Sequence, residues 1–285
     1  MGVHDLNFGS RLGRGMGALL LAAGLMLLSA CLGAGDGKAK QKRAIAMWQE
    51  RCKTSGEFIH KTADAVGGIF LLTLRPPLNY GDQFRLDDPY GDDMTGDDFL
   101  RNFLRGFYQQ PESMWPADYP PRFGYSFIEA RDTKDGQLYR YTGRFEEPWQ
   151  TNKSYLKGYI RFALDKAPIA AVSVRYGVRF DDISTREERE HWIAGSSLKV
   201  IDLQTQEVMA ERIGYMVDAA QGSRAGQRSP WLFAADNACP DFQSKYPRPL
   251  PGGGSQAQSG QTLDFVQKAL KPARGAPPKL PSPEQ

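Results

Sequence analysis

Residues 197–216 read SLKVIDLQTQEVMAERIGYM. Two apolar-rich runs, 197–202 and 207–216, flank the connection Leu203-Gln204-Thr205-Gln206, which is a hairpin pattern. Upstream, Val172, Val174, Tyr176, Val178 and Phe180 alternate with Ser173, Arg175, Gly177 and Arg179, giving a strand with one apolar and one wet face. Together they favour an antiparallel sheet over a doubly wound one.

Working outward, Phe123, Tyr125 and Phe127 alternate, as do Tyr139, Tyr141 and Phe145 after the Asp135-Gly136 turn. Residues 155–164 fit a helix as well as a strand. Residues 69–74 are continuously apolar apart from Thr73 and read as a buried strand ending at Arg75-Pro76-Pro77. Before it, Ile45, Trp48, Cys52, Ile59, Ala63 and Val66 recur at helical spacing from Arg43, with Gly56 as a kink or break and Gly67-Gly68 as the stop. Phe99, Leu100, Phe103, Leu104 and Phe107 form a second helical stripe, capped by Thr95 and preceded by Asp97 and Asp98, which suit a helix N-terminus. The expected fold is α+β: an N-terminal helix and a mainly antiparallel sheet.

The chain has 285 residues, 41% hydrophobic, 24% charged and 11% aromatic, enough material for a packed core. Its 36 Lys+Arg against 33 Asp+Glu leave a net charge of +3, too small for a nucleic-acid footprint. Residues 247–285 hold eight of the 19 prolines, the run Gly252-Gly253-Gly254 and one aromatic residue, Phe265. They read as a disordered tail with at most a brief helix over 261–270.

The N-terminus carries the most specific signal. Arg11 and Arg14 precede an apolar run over 16–28, then Ser29, Ala30 and Cys31. As a helix that run reaches only about 20 Å, short of a roughly 30 Å hydrocarbon core, so it reads as a secretory signal peptide. The run Gly13-Arg14-Gly15-Met16-Gly17 lies inside this segment and follows no strand, which removes a phosphate-loop reading. Leu28-Ser29-Ala30-Cys31 resembles the lipobox of bacterial lipoproteins. The resemblance implies removal of residues 1–30 and lipidation of Cys31. Because Leu32, not Asp, follows, it also implies an outer-membrane location facing the periplasm. The phrases around Trp48, Arg51-Cys52, Ser229-Pro230-Trp231 and Ala238-Cys239-Pro240 are similar to other envelope lipoprotein-like proteins and imply no activity. The expected organisation is signal peptide 1–30, tether 31–42, periplasmic domain 43–246 and tail 247–285.

Lipidation of Cys31 leaves Cys52 and Cys239 in a compartment that favours disulfides, so the pair is expected to clasp the ends of the domain; the alternative is two buried free thiols. Metal and catalytic patterns are sparse. Asp82, Asp87, Asp88, Asp92, Asp93, Asp97 and Asp98 are oxygen-rich, but their spacing fails the EF-hand template and reads as a solvated loop running into a helix; weak calcium binding is the alternative. Glu57 and His60 have E-x-x-H spacing without the second motif that di-iron bundles need. His191 lies in a charged run, 186–192, that reads as a solvated turn. No catalytic residue, metal site or cofactor is assigned. The sequence favours a lipid-anchored envelope protein with a non-catalytic scaffold or binding role, partnered by the membrane and an envelope protein but by no nucleic acid; the alternative is a periplasmic hydrolase using carboxylates or a metal.

Overall fold

The computed structural model describes residues 37–75, 84–86, 96–108, 123–146, 161–242, 253–258 and 260–273. The chain divides into two units, Met1–Arg43 and Ala44–Gln285. In the first, residues 37–43 are helical and exposed, so the helix already includes part of what reads as a tether; they belong to helix α1 (37–52). In the second unit α1 is followed by β1 (Gly56–Ile59), β2 (Ala63–Val66), β3 (Gly68–Leu71), α2 (Gly96–Tyr108), β4 (Phe127–Arg131), β5 (Leu138–Glu146) and β6 (Arg161–Pro168). Then come β7 (Tyr176–Asp182), α3 (Arg186–Glu190), β8 (Ile193–Asp202), β9 (Glu207–Val217), α4 (Pro230–Ala234), β10 (Ala238–Cys239), α5 (Gly253–Gln258), α6 (Gln261–Ala269) and β11 (Leu270–Pro272).

Nine strands form one mixed sheet in the order β1-β9-β8-β7-β3-β4-β5-β6, with β10 also pairing β9. Strand β3 is parallel to both its neighbours, β7 and β4, and every other pairing in the sheet is antiparallel. The expected hairpin is β8–β9, joined across 203–206, and the fold is α+β. Ile69 and Leu71 of β3 are fully buried, which is what the apolar run there supplies.

On one face of the sheet α2 contributes Phe99, Leu100, Phe103, Leu104 and Tyr108 to a core shared with Ile128, Tyr141, Phe162, Val178, Leu198 and Val200. The stripe at helical spacing is therefore core. Contact is closest at Gly106, where a Cβ would stand 2.3 Å from the Phe123 carbonyl. Gly124 faces it, and the Tyr125 amide donates to the Phe103 carbonyl at 2.8 Å. Two glycines let backbone rest on backbone.

Three local expectations change. Helix α1 stops at residue 52, and Ile59, Ala63 and Val66 lie on β1 and β2 instead of extending its stripe. Gly56 opens a strand because β9 offers β1 a ladder, Gly56↔Ile213 through Ile59↔Ala210. The alternation from Val172 becomes strand only from Tyr176, since Ser173 is held over β4 by Glu129. Residues 161–164 of the ambiguous segment are strand.

The larger correction concerns residues 247–285. Residues 253–258 and 261–272 form α5, α6 and β11, and Leu263, Phe265, Val266, Ala269 and Leu270 are buried in the main core. The Tyr125 hydroxyl donates to the Leu270 carbonyl at 2.7 Å, and burial pushes that phenol far up from its ordinary value. Strand β11 pairs in parallel with β2, and the Ala273 amide donates to the Val66 carbonyl at 2.9 Å. The folded unit therefore extends past Tyr246 to this strand. Proline and glycine dominate the composition of the whole window, but four apolar residues of α6 and Leu270 of β11 offset the cost of ordering their own short segment.

Phe265→Ala should therefore destabilise the protein by about 3–5 kcal/mol and lower the thermal midpoint by roughly 10 °C. A calorimetric shift under about 2 °C would show that α6 is not part of the cooperative core.

Candidate functional site at the α1 clasp

The last turns of α1 are fixed to the sheet in three ways. Ala44, Ile45, Met47 and Trp48 pack on Ile193, Tyr215 and Val217 of the β8–β9 pair, together with Ile183, Ile213 and Cys239. The Trp48 indole N–H reaches the Tyr215 carbonyl at 3.4 Å. At the end of the helix, Cys52 and Cys239 are joined sulfur to sulfur, with Cα atoms 5.5 Å apart.

A charged network surrounds this covalent link. Arg51 Nε donates to the Glu188 carboxylate, and its guanidinium lies 5.7 Å from the centre of the Tyr215 ring. The Glu188 hydrogen bond raises the Arg51 pKa above its ordinary value despite partial burial. Glu188 is buried and also completes the capping box of α3: its carboxylate accepts from the Thr185 amide at 2.6 Å, while Thr185 Oγ1 accepts from the Glu188 amide at 3.2 Å. Its neighbour Arg189 is buried too, bonded to Asp182 at 2.5 Å and stacked 5.0 Å from the Trp231 ring. The segment read as a solvated turn is thus a capped helix with two buried charged residues. His191 is its half-buried C-cap, with Nδ1 2.9 Å from the Glu187 carbonyl oxygen.

Trp192, next in sequence, has φ +56°, a left-handed conformation that strains a bulky side chain. Its indole occupies the space that a Cβ on Gly222 would need, 2.2 Å away, and packs 4.9 Å from Trp231. The loop after β9 is organised by Asp218, which accepts from the Ala220 and Gly222 amides at 3.1 and 2.8 Å and from Arg228 at 2.6 Å.

Two further buried carboxylates serve the frame. Glu129 of β4 accepts from Arg140 at 2.7 Å and from the Ser173 amide and hydroxyl at 2.8 and 2.7 Å, pinning the strand-to-strand strap across β4. Burial alone would raise its pKa, but these donors outweigh burial and hold it below the usual glutamate value. Asp202 accepts twice from Arg175, at 2.9 and 2.7 Å, and once from the Gln204 amide, holding the β8–β9 turn. The Arg175 bonds keep its carboxyl low. Such carboxylates are fixed as anions by donors of their own chain and are suited to positioning backbone.

The other sequence candidates do not converge. Cys31 lies outside the described residues, as do residues 76–83 and 87–95 of the acidic stretch; Asp98 is exposed and pairs with Arg101 at 3.5 Å. Glu57 and His60 do not share a helix, because Glu57 is on β1; its carboxylate pairs with Lys268 at 2.5 Å and Arg212 at 3.4 Å. Among the described residues no group of three or more His, Cys, Asp or Glu side chains is arranged to hold a metal ion. Arg51–Glu188 and Glu129–Ser173 escape a sequence reading because each joins distant segments, and Asp218–Arg228, ten residues apart, because it closes an irregular loop with no pattern of its own. Only Thr185-Arg186-Glu187-Glu188 carried a local signal, the S/T-x-x-E capping pattern. Comparison with protein-family models, curated proteins and solved structures finds no match.

Peptide mapping without reduction should recover one cross-linked species containing Cys52 and Cys239. Reduction should lower stability by up to about 5 kcal/mol, the chain-entropy value for closing a loop of 187 residues. Recovery of both cysteines as free thiols in the unreduced protein would remove the clasp.

Glu129→Gln should cost about 1–3 kcal/mol at neutral pH by weakening the strap. Because the folded-state pKa lies below the unfolded one, this contribution is fully present above the ordinary glutamate range and is lost as pH falls through the depressed value. Urea midpoints of wild type and variant should therefore converge in acid; a gap that stays constant from neutral pH into acid would assign the effect to shape, not charge.

Proposed function

We propose that the protein is a lipid-anchored scaffold or binding protein of the cell envelope, acylated at Cys31, held in the outer membrane and facing the periplasm. The observation that carries this reading is Leu28-Ser29-Ala30-Cys31, a lipobox-like tetrapeptide behind an apolar run too short to span a bilayer. Only residues 32–43 lie between that cysteine and the unit that begins at Ala44. No helix among the described residues is long and apolar enough to cross a membrane, so in this reading retention rests on acyl chains. One chain binds a bilayer marginally; two or three hold it effectively permanently.

Two features of the folded unit support the reading. The Cys52–Cys239 pair suits an oxidising compartment. The carboxylates of Glu129, Glu188, Asp202 and Asp218 are engaged by donors of the same chain, as expected of a rigid platform for a partner protein. Partners under this proposal are the membrane, through the lipid, and an envelope protein.

Metabolic labelling with an alkyne fatty acid should mark wild-type protein and miss Cys31→Ser, which should accumulate as a longer precursor. Equal labelling of both, or cleavage of the variant at the wild-type position, would refute the assignment.

A further inference from the structure

Ten lysines lie among the described residues, and six of them are ion-paired. Lys53, Lys61, Lys166, Lys199, Lys268 and Lys271 each have a carboxylate oxygen within ion-pair distance: Glu50, Glu207, Asp132, Glu211, Glu57 and Asp64 respectively. Lys38, Lys40 and Lys42 have no acidic partner among the described residues, and all three are exposed. They lie in residues 37–43, where every residue of the helix is exposed and none belongs to the compact unit that starts at Ala44.

At 100° per residue Lys38 and Lys42 share a face and Lys40 lies nearly opposite, so the three form a collar around the helix. Like charges four residues apart destabilise a helix, and no acidic side chain among the described residues pairs with Lys38 or Lys42. Three unpaired lysines within five residues concentrate positive charge that an anionic surface outside the chain would offset.

We infer that Lys38, Lys40 and Lys42 bind the anionic phospholipid headgroups of the leaflet that holds the acyl chains, a second membrane contact beside the lipid. The inference rests on the Cys31 reading for its geometry. Lys38 lies seven positions after Cys31, and at roughly 3.3–3.6 Å per residue the connection reaches at most about 25 Å, which permits the three lysines to lie on the interface. A basic cluster immediately following a membrane anchor gains from a negative surface, and the gain falls off within a Debye length of about 8–10 Å.

The full lipidated protein, reconstituted in phosphatidylcholine vesicles with or without phosphatidylglycerol, would be treated with an amine-acylating reagent. Labelling of each lysine is then read by mass spectrometry. Lys134, exposed on the β4–β5 turn and likewise without an ion pair among the described residues, is the internal reference. Lys38, Lys40 and Lys42 should label about fivefold more slowly in the anionic vesicles, with Lys134 unchanged and the protection lost in high salt. Equal rates in the two vesicle types, or protection that survives high salt, would overturn the inference. The same spectra report the mass on Cys31. An acylated Cys31 with unprotected lysines leaves the anchor standing and removes the headgroup contact; protected lysines with an unmodified Cys31 do the reverse.

Discussion

The sheet depends on a four-residue strand. Strand β3 is the only member with parallel neighbours on both sides, and it joins an antiparallel wing of β7, β8, β9, β1 and β10 to a second wing of β4, β5 and β6. Parallel neighbours cannot be linked by a tight turn, so the chain must leave β3 and return before β4 can pair. Helix α2 lies on that excursion and packs over β4 and β5. Glycines flank the seam: a Cβ on Gly68 would meet the Phe127 ring at 2.5 Å, and one on Gly177 would meet Leu72 at 2.4 Å. Large side chains from neighbouring strands use that space, which keeps the narrowest part of the sheet densely filled.

Readability of the fold from sequence followed contact range. Strands β8 and β9 were readable because alternation and a short connection are local properties, and so was the α2 stripe. Strand β1 was not: Gly56-Glu57-Phe58-Ile59 has no apolar face to bury, and Phe58 and Ile59 stay 42% and 40% exposed. It is a strand because β9 supplies hydrogen bonds, a tertiary effect that overrides the helical spacing of Ile59 and Ala63. Helix α6 was readable as a brief helix over 261–270, but its place in the core was not, because the proline-rich flanks dominate any window average.

The clasp divides in the same way. Pairing Cys52 with Cys239 needed only a count of thiols and a compartment, which is why a separation of 187 residues was no obstacle. The Arg51–Glu188 bond needed α3 to be recognised as a capped helix and placed under α1, and no spacing encodes that placement. Charged side chains in runs such as 186–190 are ordinarily solvated, so burial of Glu188 and Arg189 becomes visible only with their partners Thr185, Arg51, Asp182 and Trp231 in place.

The two ends of the folded unit are secured by different physics. The disulfide closes the segment between Cys52 and Cys239 covalently, and that loop contains every strand of the main sheet. Helices α5 and α6 and strand β11 lie outside it. Helix α5 is held by the Gly254 amide, which donates to Asp236 at 2.7 Å, and by Ala257 in the apolar cluster around Trp231; α6 and β11 are held by the burial of Leu263, Phe265, Val266 and Leu270, the Tyr125–Leu270 bond, the β2–β11 ladder and the exposed Lys268–Glu57 and Lys271–Asp64 pairs. Exposed ion pairs add little, so apolar contact and a short ladder hold this end. Opening there releases no disulfide constraint and leaves the nine-stranded sheet paired, whereas displacing α1 must break a covalent bond or carry β10 away from β9.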